Sequence, residues 1–135
     1  MSDCCDSGKR TECCGGTAKK NVLLYACSGG ANVAEVADRA ARELMFGGCG
    51  TMFCLAGLGA DIQGMIQTAK DADLNVVIDG CPMDCARMIF DRAGVTNCKQ
   101  IKVTDLGVEK VKGARCTQKQ IDRTIAAVRD VVSQA

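Results

Sequence analysis

The run "LNVVID", Leu74 to Asp79, constrains this chain more than any other stretch. It is nearly all apolar, with Leu74, Val76, Val77 and Ile78 among its six residues. A strand of that kind must be covered above and below, which is the habit of parallel sheets sandwiched between helices. Two further runs resemble it. "NVLLYA" begins at Asn21 and "TMFCLA" at Thr51, and each is followed by glycines and then by a stretch with helical spacing. Val33, Val36, Ala37, Ala40, Ala41 and Leu44 recur on one helical face, and Asn32 with Glu35 has the form of a capping box at its start. A second helix is expected from about Asp61, with Ile62, Met65, Ile66 and Ala69 inward. A third begins near Cys81, with Pro82 at its first position and Met83, Ile89 and Phe90 as its apolar residues. "QIKVTDLGVEKV" reads as a fourth strand and a short fifth near Val108. Thr117 and Gln120 form another capping box, and Ile121, Ile125, Val128 and Val132 line the last helix. The alternation predicts an α/β fold: a three-layer sandwich with a mainly parallel sheet of four or five strands, Rossmann-like or flavodoxin-like.

Cysteines punctuate this pattern. Cys27, Cys54 and Cys81 are 27 residues apart and 27 again, about the length of one strand plus one crossover helix. Each follows a predicted strand, so all three return to the carboxyl edge of the sheet, where open α/β sheets bind ligands. If the first strand lies between the second and third, Cys27 is flanked by the other two, with strands about 4.8 Å apart. Cys85 lies four residues beyond Cys81, on the same helical face. Four thiols from three loops make a tetrahedral set for zinc, or a Cys4 set for an iron–sulfur cluster. A helix N-terminus at Cys81 would favour thiolate there. Cys49, Cys98 and Cys116 are read as structural, at the opposite end of the sheet.

The 135 residues suit one domain, with residues 20–135 as its body. Residues 1–19 read as a flexible Cys-rich tail in which Cys4, Cys5, Cys13 and Cys14 are suited to capturing a soft metal. Eleven cysteines, an odd number, fit a disulfide framework badly and point to metal or redox chemistry in a reducing compartment. There is no histidine, which excludes a Cys–His dyad or His ligands from this chain. A net charge of +1 without a charge run argues against nucleic acid or a membrane surface as partner. No apolar stretch approaches the ~20 residues of a membrane span, and no secretory h-region is present, so a cytoplasmic location is expected.

Two other chemistries fit parts of the pattern. Cys81 and Cys85 have the arrangement of an attacking and a resolving thiol, although C-x3-C is not the C-x-x-C of thioredoxin-like proteins. Cys81 to Arg87 also spells C-x5-R, the spacing of cysteine-dependent phosphatases and one class of arsenate reductases. Pro82 removes an amide that such an anion cradle needs. Asp79 suits a helix cap better than a ligand-supporting carboxylate. "CSGG" and "AGLGA" match no phosphate-loop pattern and read as tight turns.

"ACSGGANVAEVADRAA", "MFCLAGLGADIQGMIQTAK" and "VIDGCPMDCARMIFDRAGV" together resemble the DGC-domain family, named for the tripeptide that is Asp79-Gly80-Cys81 here. The likeness runs from about Val22 to Val111. It implies a small prokaryotic zinc-binding protein without an established enzymatic activity, and no catalytic residue. On this chain it implies Cys27, Cys54, Cys81 and Cys85 as the zinc ligands, the same four reached from spacing.

Overall fold

A computed structural model describes residues 20–135. The reading of the two Cys-Cys pairs therefore lies outside the described residues. Four strands form one all-parallel sheet in the order β2-β1-β3-β4: β1 is Val22–Ala26, β2 Thr51–Met52, β3 Leu74–Asp79 and β4 Cys98–Lys102. The expected neighbours of the first strand are thus the observed ones. All six residues of β3 are buried, as its composition requires of a strand with helices over both faces. Helices α1 (Asn32–Phe46) and α5 (Gln118–Gln134) pack together over one face. The short α2 (Leu55–Gly59), α3 (Gln63–Asp71) and α4 (Cys85–Ala93) cover the other. This is a three-layer α/β sandwich. Its core joins the predicted stripe of α1 to Ile121, Ile125, Val128 and Val132 of α5 and to the strands between.

Several local expectations change. Asn32 is the first residue of α1 and not its cap; its buried side chain instead donates to the Glu109 carbonyl and accepts from the Val111 amide, while Glu35 accepts from the Cys116 amide. The capping box at Thr117 and Gln120 does form, with both reciprocal bonds present. "LAGLG" is a helical turn, and the left-handed residue that follows is Asp61 (φ 58°). Gly29 and Gly30 make the turn after β1 without a positive φ. Ile62 is half exposed just before α3, and Met83 is exposed in the turn before α4. β4 gives way to a 3-10 turn at Val103–Leu106. No fifth strand joins the sheet among the described residues; the segment instead makes a single antiparallel bridge, Ala31 with Lys112. No helix among the described residues is long and apolar enough to cross a membrane.

Candidate thiol site at the carboxyl edge

The chain leaves β1 toward α1 on one face and leaves β3 toward α4 on the other. Two adjacent strands whose connections depart to opposite sides open a crevice between their carboxyl ends. A cavity of about 370 Å³ occupies that position. The loop after β1 supplies Cys27 and Ser28, the corner after β3 supplies Gly80, Cys81 and Cys85, and residues 110–113 close the third side. Cys27 is level with Asp79, one step beyond the paired Ala26 and Ile78, and its amide still donates to the Ile78 carbonyl (3.1 Å). Its buried sulfur accepts from the Gly80 amide at 3.1 Å. Burial pushes the Cys27 thiol up; the Gly80 N–H opposes this, and Asp79, Cys81 and Cys85 add to the rise.

Gly80 is required by proximity. A Cβ there would meet the Val33 backbone and side chain at 3.0 Å and the Ala34 nitrogen at 3.1 Å, so the corner after β3 lies directly against the first turn of α1. The corner itself differs from expectation. Cys81 is not the cap of α4 and Pro82 is not in its first turn; residues 81–84 form a separate turn, closed by the Asp84 amide donating to the Cys81 carbonyl (3.2 Å). The helix begins at Cys85, behind Asp84 in the left-handed region (φ 55°), which Asp tolerates better than most residues. Asp84 is held by Lys102 at 3.0 Å and by Gln100 at 2.9 Å, and those two contacts keep its carboxyl below the usual range.

Asp79 is a helix cap, as expected, though at a distance in sequence. Its buried carboxylate accepts from the amides of Ala86 (2.8 Å) and Arg87 (3.0 Å), and Gln100 donates to it as well (2.9 Å). This has a consequence for the C-x5-R reading. The α4 amides that would cradle an oxyanion already hold an internal carboxylate, and the Arg87 side chain turns to Asp91 (3.1 Å). The phosphatase-like arrangement is absent here.

Of the four candidate thiols, Cys27, Cys81 and Cys85 line the cavity and Cys54 does not. Counting on from the pair Leu24 and Met52, Cys54 comes level with Ala26, one residue short of Cys27. There the chain turns into α2, leaving Cys54 exposed. Among the described residues no group of three or more Cys, Asp or Glu stands ready to hold a metal ion. Cys49 and Cys98 lie at the amino side of the sheet, as expected. Cys116 does not: its amide binds Glu35 in the first turn of α1, which places it at the carboxyl edge.

Two lysines went unnoticed in the sequence. Lys110 donates to the Cys81 sulfur at 3.3 Å, and Lys112 lines the same cavity. Their alternation in "GVEKVKG" looks like an ordinary exposed strand edge; bonds from Asn32 and Gly30 hold that segment over the crevice.

Comparison with known proteins agrees with the motifs. The DGC domain model matches residues 23–128. The "Anaerobic and virulence modulator AnvM" of Pseudomonas aeruginosa is 31% identical over 101 residues, covering 75% of this chain and 77% of that protein. No solved structure matches significantly. With its α/β sheet, its Asp79-Gly80-Cys81 corner and a match spanning most of its length, the chain belongs to the DGC-domain family.

Proposed function

We propose that this is a small cytoplasmic regulatory protein that binds zinc through Cys27, Cys81 and Cys85, with Cys54 as the fourth thiol. The observation that carries the reading is the cavity at the sheet's switch point, with three cysteines on its wall. The donor set fits the ion: thiolates are the ligands zinc shares with few harder cations, and the chain offers no imidazole in competition. The sulfurs are not gathered in the structure, so binding is coupled to movement of the two exposed thiols, Cys54 and Cys85. Bound zinc would hold the sulfurs as thiolates and withhold them from other partners. A regulatory role is supported by the name of the Pseudomonas relative, a modulator. No residue is assigned a catalytic role.

The test is elemental analysis with an absorption spectrum on full-length protein purified anaerobically without added metal. The expected result is about one colourless zinc per chain, lost in a Cys81→Ser/Cys85→Ser variant. Broad absorption near ~400 nm with iron and sulfide would replace zinc by an iron–sulfur cluster. Metal-free protein that still binds no added zinc would overturn both.

A second reading, thiol exchange, has its own observation: the Lys110 ammonium beside the Cys81 sulfur. That contact suits a sulfur that reacts with a charged partner, and it equally offsets charge on a zinc-bound sulfur, so it is compatible with both readings.

A further inference from the structure

We propose that the cavity recognises small anionic disulfides, low-molecular-weight thiols bearing carboxylates in their oxidised form, and transfers one half of them to Cys81. This goes beyond the zinc reading and needs no bound ion.

The argument starts from the segment that closes the crevice. Asn32, buried at the start of α1, grips it from both sides: its amide nitrogen donates to the Glu109 carbonyl at 2.8 Å and its oxygen accepts from the Val111 amide at 2.7 Å. The Asn32 backbone N–H donates to the Val111 carbonyl, and the Gly113 N–H to the Gly30 carbonyl at 2.9 Å. With Glu109 and Val111 held, the alternate residues Lys110 and Lys112 both contribute to the cavity wall. Neither has a carboxylate within ion-pair distance among the described residues. The two acidic residues on the wall are occupied elsewhere, Asp79 by the α4 amides and Gln100, Asp84 by Lys102 and Gln100. Asp84 is matched by Lys102 and Asp79 keeps its charge among neutral donors, so two ammonium groups against one unmatched carboxylate leave an excess of positive charge facing a cavity whose volume is at the small end of ligand sites. Two ammonium groups in a partly enclosed space select negative ligands.

The sulfur that such a ligand reaches is Cys81. It is half-buried on the wall and in contact with Lys110. Cys27 is deeper and engaged by the Gly80 amide, and among the described residues the lysine–sulfur contact on this wall is made to Cys81 and not to the exposed Cys85. The step is thiol–disulfide exchange. The Cys81 sulfur attacks one sulfur of the ligand; the ligand's S–S bond breaks as the new one forms. One half stays on Cys81 as a mixed disulfide, and the other leaves as a thiol carrying the proton Cys81 gives up. The small disulfide is reduced and Cys81 is oxidised, so no further oxidant is needed.

The experiment uses full-length, reduced protein stripped of metal by a chelator. It compares oxidised glutathione (net anionic), bis(2-hydroxyethyl) disulfide (neutral) and cystamine (cationic), and follows each modified cysteine by peptide mass mapping. Cys54, exposed and outside the cavity, is the internal reference for each reagent's intrinsic reactivity. Relative to Cys54, Cys81 is expected to favour the anionic reagent over the cationic one by about tenfold or more at low ionic strength. That ratio should shrink toward one as salt is added. A Lys110→Gln/Lys112→Gln variant should bring Cys81 to the Cys54 pattern. Equal reagent ratios at Cys81 and Cys54 in the unaltered protein, or a preference that survives in the variant, would overturn the proposal. Neither outcome bears on zinc binding, which is read separately by elemental analysis.

Discussion

The central strand pair and the β2 edge of this sheet are built on the same repeat, yet they end differently. β1 and β3 pair continuously from Val22 with Leu74 to Ala26 with Ile78, and the bonding continues past the strands into Cys27. β2 pairs only at Thr51 and Met52, with one further bond from the Phe53 amide to the Leu24 carbonyl. Beyond the central pair the chain is held by buried polar groups and close backbone contact; beyond β2 it turns at once into a five-residue helix. Equal spacing in sequence brings three cysteines to one edge. Only where the register runs on do they share a cavity.

The sharpest way to break that contrast is at Asp79. Replacing Asp79 with Ala leaves two α4 amides and Gln100 without their acceptor inside the protein, and should cost about 2–4 kcal/mol in urea unfolding. A loss below about 1 kcal/mol would mean that the corner after β3 is no better anchored than the one after β2.

Glycines test the same contrast one step down. Gly80→Ala forces the β3 corner away from the Val33 and Ala34 backbone, which cannot yield cheaply, and should destabilise by about 1–3 kcal/mol. Gly57→Ala, in α2 beside the edge, meets only the flexible end of Met65, and alanine is the better helix former by roughly 1 kcal/mol. It is expected to be close to neutral. Comparable losses at the two positions would remove the distinction.

Much of this was legible before any coordinates, for identifiable reasons. The largely apolar content of Leu74–Asp79 suits a strand buried on both faces, and the 27-residue repeat matches the length of a strand plus crossover that returns the chain to one edge. The apolar stripes of α1 and α5 likewise report burial directly. What escaped depends on contacts distant in sequence. Asn32 and Glu35 have the spacing of a capping box, but tertiary partners at Val111 and Cys116 took both side chains. Pro82 suits a first helical turn, yet the Gln100 and Lys102 contacts with Asp84 delay the helix to Cys85. Lys110 and Lys112 acquire meaning only once the segment bearing them is folded over the crevice.

Paired serine substitutions probe the thiols themselves. Cys27→Ser places a hydroxyl in a buried position and should cost about 1–2 kcal/mol. Cys54→Ser, at an exposed position off the core, should stay within about 0.5 kcal/mol while weakening zinc retention if it supplies the fourth ligand. Zinc retained unchanged in Cys54→Ser, with the protein equally stable, would reduce the set to the three cavity cysteines.

The smallest effect belongs to Glu35, where the segment before α5 is tied to α1. The Cys116 amide donates to its carboxylate at 2.8 Å, and this bond, more than Arg115 or Arg39, holds the Glu35 carboxyl below its ordinary value of 4.5. A carboxyl depressed in the folded state binds fewer protons there than in the unfolded chain, so its contribution is present above the unfolded pKa and is lost as pH falls through the folded one. Thermal midpoints of the protein and its Glu35→Gln variant should therefore differ slightly near neutrality and converge below about pH 4.5. A gap that persists undiminished into acid would mean that Glu35 acts there through packing and not through its charge. The tie between α1 and the loop before α5 would then be indifferent to pH, unlike the carboxylate-held corner at Asp84.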